Sequence, residues 1–222
     1  PAACVPFTEE SLHGRHCYMG LDLSTKKDLT AAVLVFPPAS DGEAWKMILR
    51  AFIPDEGAHE RERRDRVPYV TWARQNLIRM TDGNVVDYDV VFAQIVADAK
   101  LFQVEEVAFD PWNATQIATQ LGKEGLKMVE FGQGFRSMSE PAKEFEKLLV
   151  SGKLQHGGNP IMRWAAGNVA VEQDAAGNIK PSKKKSTERI DPIIAAVMAL
   201  GRAIVNQGPT NSVYESRELI TL

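Results

Sequence analysis

Three aspartates stand where chain direction changes. Asp22 ends an apolar run, "YMGLDLS". Asp110 ends another, "VEEVAFDP". Asp191 opens a third, "DPIIAAVMALGRAIV". A carboxylate at the mouth of a buried strand is costly unless something pairs with it. Gathered at one place, three carboxylates cannot all ionise without cations between them. Oxygen-rich clusters of this kind suit Mg²⁺ or Mn²⁺, and two such ions roughly 4 Å apart serve hydrolysis of phosphodiesters. Each acid also has a structural role open to it. Asp110 and Asp191 precede proline, a common turn or helix entry, and Asp191 suits an N-cap. Asp28, six residues beyond Asp22, is a candidate auxiliary ligand or a turn residue.

Around these acids the charge is uneven. The chain of 222 residues carries a net charge of −3, so no overall basic character announces nucleic acid. Locally, Arg61, Arg63, Arg64 and Arg66 fall within six residues, and Lys183, Lys184 and Lys185 lie just ahead of Asp191. Patches like these suffice for a phosphate backbone if they flank one site. Such contacts position DNA without reading its sequence. His156, in "LQHGGNP", is a further candidate for substrate contact.

The elements that must position these residues are legible as apolar patterns. Residues 18–23 and 29–36 read as a hairpin, and 43–54 as a third strand completing an antiparallel meander. Residues 55–66 read as a charged helix or loop, 67–78 as a short helix, and 87–102 as a longer one. A strand at 104–110, a helix at 112–125 capped by Asn113 and a strand at 126–131 follow, implying parallel pairing through right-handed crossovers. Further helices are expected at 139–154, capped by Ser139, and at 159–174, capped by Asn159. A flexible basic connection spans 175–186, and a final apolar helix 191–205. Residues 1–16 read as an irregular lead-in and 207–222 as a mobile tail, within one domain over 1–222.

This order is the layout of the ribonuclease H-like α/β fold: a mixed sheet, antiparallel in its first three strands and parallel in the fourth and fifth, flanked by helices. Its first and fourth strands are neighbours, so their ends lie side by side, where ligands of open sheets gather. Asp22, Asp110 and Asp191 are therefore expected to converge. No run reaches the roughly 20 apolar residues of a membrane span. The start of the chain lacks the pattern of a signal peptide. Two cysteines are too few for a disulfide framework, which makes a reducing, intracellular setting the default.

The pieces "GLDLSTKKDLTA", "PYVTWARQNLI", "VAFDPWNATQIATQL", "HGGNPIMRWAAGN" and "KPSKKKSTERIDPIIAAVMALGRA" resemble the C-terminal nuclease domain of the large terminase subunit of tailed bacteriophages. The resemblance implies cleavage of concatemeric double-stranded DNA during genome packaging, in the host-cell cytoplasm. It also implies an ATPase motor domain, a small terminase subunit and a portal as partners. No GxxxxGK[ST] phosphate loop occurs, so this chain is expected to be the nuclease domain without its motor. Resolvases, transposases and ribonuclease H share the fold, and a non-catalytic DNA-binding domain is the contrasting reading. Actin-like kinases need a glycine-rich turn after the first strand, which "DLSTKKD" lacks.

Overall fold

The structure is a computed structural model that describes residues 5–24 and 29–207, apart from the side chains of Asn113 and Gln207. A short 3-10 helix, Glu9–Leu12, precedes strand β1, His16–Asp22. Strands β2, Thr30–Phe36, and β3, Trp45–Pro54, complete the meander. Then come helices α1, Ala58–Asp65, and α2, Tyr69–Arg74, strand β4, Arg79–Thr81, and helix α3, Tyr88–Leu101. Strand β5, Gln103–Phe109, leads through α4, Pro111–Lys123, to β6, Met128–Glu130. Helix α5, Phe135–Val150, strand β7, Leu154–Gln155, and helix α6, Pro160–Asn168, follow. A hairpin of β8, Val171–Gln173, and β9, Ile179–Pro181, precedes α7, Asp191–Gln207.

Among the described residues the main sheet has the order β4-β3-β2-β1-β5-β6, with β7 also pairing with β3. β1 is antiparallel to β2, and β2 to β3, while β5 is parallel to β1 and β6 to β5. This is the expected ribonuclease H-like arrangement. Side chains alternate across the sheet, as period 2 requires. Cys17, Met19 and Leu21 of β1 join a core with α3 and α4. On the opposite face, Ala31, Val33 and Val35 of β2 pack in a second core with α5, α6 and α7.

Helix α7 is the centre of that second layer. Residues 193–200 are all buried, and six of these eight are Ala, Ile or Val. Small side chains let the helix lie close on the sheet. It runs antiparallel to β1. Asp191 lies at the Asp22 end, Ala195 lies over Gly20, and Arg202 Nε donates to Glu106, whose strand position is beside Tyr18. Thus the acid at the head of α7 is carried to the C-terminal end of β1.

Several elements depart from the sequence reading. Residues 67–78 are helical only to Arg74, and β4 begins at Arg79. Asp110, not Asn113, caps α4: its Oδ1 accepts the Trp112 N–H at 3.1 Å. Ser139 is buried inside α5, which starts at Phe135, and its hydroxyl accepts the Ile179 N–H at 3.2 Å. Asn159 does cap α6, but the helix stops at Asn168 and residues 171–173 form a strand. The connection expected to be flexible is an ordered hairpin. Its turn is held by Asp174, whose Oδ1 accepts the N–H groups of Ala176 and Asn178, with Gly177 at φ 80°. The tail beyond Gln207 lies outside the described residues.

Candidate metal centre at the strand ends

β1 and β5 run parallel with Leu21 beside Phe109. One residue further on, Asp22 and Asp110 leave the two neighbouring strands side by side, about 4.8 Å apart by strand spacing. Asp22 shares its sheet face with Gly20 and Tyr18 by alternation, so it points toward α7. It is only 2 % exposed, and Asp191 only 6 %.

Lys183 joins the two. Its Nζ stands 2.6 Å from Asp22 Oδ2 and 2.8 Å from Asp191 Oδ1. Gln133, in the loop after β6, donates to Asp22 Oδ1 at 3.1 Å. Burial pushes the Asp22 carboxyl up to about 7, with Lys183 and Gln133 pulling it down and the Asp191 charge pushing it up. Burial also works against the Lys183 charge, but Asp22 and Asp191 more than offset it and raise its pKa.

Asp110 is at the strand end, and its Oδ1 is engaged in capping α4. Asp28 lies outside the described residues. Among the described residues no three Asp, Glu, His or Cys side chains are already gathered as a cation site. What the site does hold is a cation, the Lys183 ammonium, between two buried carboxylates. That donor chemistry fits a hard divalent ion. Asp22 and Asp191 would hold it, and Asp110, at the end of the neighbouring strand, would join them.

The basic residues divide. Lys184 and Lys185 are exposed beside the site, Lys185 with Nζ 3.6 Å from Glu172. Arg63 is exposed, and exposed Arg64 pairs with Asp65 at 2.6 Å. Arg61 is not a surface cation. It is 6 % exposed, and its guanidinium donates to the carbonyls of Pro54 and Glu56 at the end of β3. Its charge serves that chain turn, so it presents no face to a phosphate. His156 follows β7, whose Gln155 lies beside Lys46 near the start of β3. Asp22 is level with Ala51 through Ala31. Five residues of strand separate those levels, roughly 17 Å. The structure does not bring His156 to the carboxylates.

Sequence reasoning missed Gln133, since nothing in "FGQGF" marks a polar side chain aimed at a strand end. It took Lys183 as a cation for the DNA backbone, and the loop between β9 and α7 brings its ammonium to the acids.

A family model described as terminase large subunit, endonuclease domain, matches residues 3–207. The large terminase subunit of Enterobacteria phage HK97 is 39% identical over 191 residues, 85% of this chain and 38% of that protein. The crystal structure of the HK97 large terminase has a TM-score of 0.81 at 37% identity, covering 90% of this chain and 41% of that one. The large terminase nuclease from thermophilic phage G20c, in a crystal structure with bound magnesium, has a TM-score of 0.56 at 13% identity, covering 89% of this chain and 91% of that one. The last is a likeness of fold. The chain spans less than half the length of the HK97 relative. No helix among the described residues is long and apolar enough to cross a membrane.

Proposed function

Since this chain belongs to the terminase large subunit endonuclease family, we propose that it hydrolyses phosphodiester bonds of concatemeric double-stranded DNA during viral genome packaging. The observation that carries this reading is the convergence of Asp22 and Asp191 on one cation at the sheet's C-terminal end. The magnesium in the G20c relative supports Mg²⁺ as a cofactor, and Mn²⁺ meets the same oxygen-donor chemistry. When bound, two such ions supply a water of lowered pKa and charge stabilisation at the leaving oxygen.

The chain's own residues prepare that place. β1 and the head of α7 fix Asp22 and Asp191, and Gln133 holds the orientation of Asp22. Lys183 keeps the two acids together by balancing their charge. Asp22 and Asp191 would hold a cation in its place, and the Lys183 ammonium, no longer needed between them, would meet a phosphate oxygen of the scissile strand. Lys184 and Lys185 flank the site and hold backbone phosphates without reading bases. We further propose that the single nuclease domain acts with an ATPase motor domain, a small terminase subunit and a portal, in the host-cell cytoplasm.

The test is incubation of the protein with supercoiled plasmid in Mg²⁺ or Mn²⁺, with and without EDTA. Nicking and linearisation with either ion, abolished by EDTA, is the expected result. Undiminished cutting in excess EDTA, or no cutting with either ion, overturns the reading.

A further inference from the structure

Trp112 has no role in the fold. It is 90 % exposed, the one aromatic among the large hydrophobic side chains that stand in solvent in the described residues. The other three tryptophans are buried or half-buried, and Trp72 and Trp164 stack edge to face 5.7 Å apart. Helix α4 faces its core with Ala114, Ile117, Ala118 and Leu121, and Trp112 belongs to neither core cluster.

Its placement is specific. Trp112 is two residues beyond Asp110, and its backbone N–H is the group that Asp110 Oδ1 accepts. Asp110 leaves β5 beside Asp22. Trp112 therefore stands in the first turn of α4, two residues from an acid at the strand ends, with its indole in solvent. Lys183 approaches the same strand ends from the loop before α7, and exposed Lys184 and Lys185 follow it in that loop. Cations for phosphates and one exposed aromatic ring for a base are the two parts of a single-strand or opened-duplex contact.

We infer that Trp112 stacks on a nucleobase next to the scissile phosphate and so fixes the position of the DNA over the acids. This rests on the DNA-cleaving reading above. A base is favoured over a protein partner because a protein docked on this indole would cover the strand ends through which the substrate must enter. The contact uses the π-face that every base has, so it adds affinity with little sequence preference.

The experiment uses the 222-residue protein, a fluorescein-labelled duplex oligonucleotide and the variants Trp112→Ala and Trp112→Phe. Binding is read by anisotropy in EDTA, where no cutting is expected, and tryptophan emission is read on addition of unlabelled duplex. Wild type is expected to bind with quenching of its exposed tryptophan. Trp112→Ala should weaken binding by roughly 5–150-fold, the range for one stacked base, and lose the quenching, with an unchanged melting temperature. Trp112→Phe should retain most of the affinity. In cleavage, Trp112→Ala should raise KM and leave kcat within about threefold, as expected when ground-state and transition-state binding fall equally. Wild-type binding and cutting matched by Trp112→Ala overturns this inference alone. Absence of DNA binding by wild type overturns it together with the reading it rests on. Unchanged DNA binding by Trp112→Ala, with loss of binding to a purified motor domain, assigns the indole to a protein interface and also overturns it.

Discussion

Gly20 and Ala195 meet backbone to backbone. A Cβ carbon on Gly20 would stand 2.9 Å from the Ala195 carbonyl carbon and 3.0 Å from the Ala199 nitrogen, and would overlap the Ala195 carbonyl oxygen. The obstacle is helix backbone, which cannot rotate away as a side chain can. Gly20→Ala must therefore lift α7 from β1. We expect a loss of about 3 kcal/mol or more in denaturant unfolding, at the upper end for overpacking. Since the same lift separates Asp191 from Asp22, cleavage should fall along with stability. A variant as stable as wild type would show that the helix does not lie this close.

The Asp22 carboxyl, pushed up to about 7 from 3.8 by its burial, sets a pH dependence for the metal-free protein. The folded state holds this proton more tightly than the unfolded one. Its contribution is therefore greatest below about pH 4, and stability falls as pH rises from about 4 to about 7. Glu43, held down to about 2 by Arg15, and Glu106, held down to about 2 by Arg202 and Lys127 despite its burial, act oppositely. They stabilise above their ordinary 4.5 and lose this as pH falls toward 2. Asp22→Asn removes only the first effect. The difference between wild type and Asp22→Asn, from urea unfolding in EDTA between about pH 4 and pH 8, should change by on the order of 2–4 kcal/mol. A flat difference would contradict the raised carboxyl.

Asp110 has two roles that one pair of variants separates. Asn caps a helix nearly as well as Asp, whereas Ala costs about 1 kcal/mol. Asp110→Asn should keep the melting temperature, and Asp110→Ala should lower it by a few degrees. Both should lose metal-dependent cutting, because the amide and the methyl are poor ligands for a hard cation. Retained cleavage in Asp110→Asn would leave Asp110 as a cap alone.

Lys184 and Lys185 are separable from Arg61. Replacing both lysines by Ala should weaken DNA binding in roughly 100 mM salt and reduce the slope of log K against log salt by about one for each phosphate no longer neutralised. Melting should not change. Arg61→Ala should do the reverse. It leaves the buried Pro54 carbonyl and the part-buried Glu56 carbonyl without this donor, and a buried acceptor left unsatisfied costs about 1–3 kcal/mol. An unchanged salt slope for the lysine pair would put the DNA path elsewhere, for instance over Arg63 and Arg64.

How much of this was legible depended on whether the signal was local. β1, β2, β3 and β5 are apolar runs in the sequence, and Asp22 and Asp110 mark two of their ends. The head of α7 was equally plain, since Asp191 opens a helix with no charged residue until Arg202. Less legible were elements whose signals compete. Ser139 followed by Glu140 and Pro141 imitates a helix start, yet Gly134 precedes the true first turn. In "NVAVEQDAAGNIKP" the alanines favour a helix, while Asp174 and Gly177 close a hairpin. Least legible were the tertiary contacts. The turning of Lys183 toward two acids, the approach of Gln133 and the burial of Arg61 are set by the packing of distant elements, which no local pattern records.

Helix α7 also bears on when the candidate site comes together during synthesis. It is the last of the described elements to leave the ribosome, and it brings both Asp191 and the layer that covers β1 and β2. Until it docks, the Gly20 face of β1 is bare and Asp22 has no opposing acid with which to share a cation. A half-made chain thus has neither a finished core nor the paired acids of the candidate site, and one docking event supplies both. On the proposed reading, the order of synthesis is then a safeguard: the two acids meet only once the covering helix has docked.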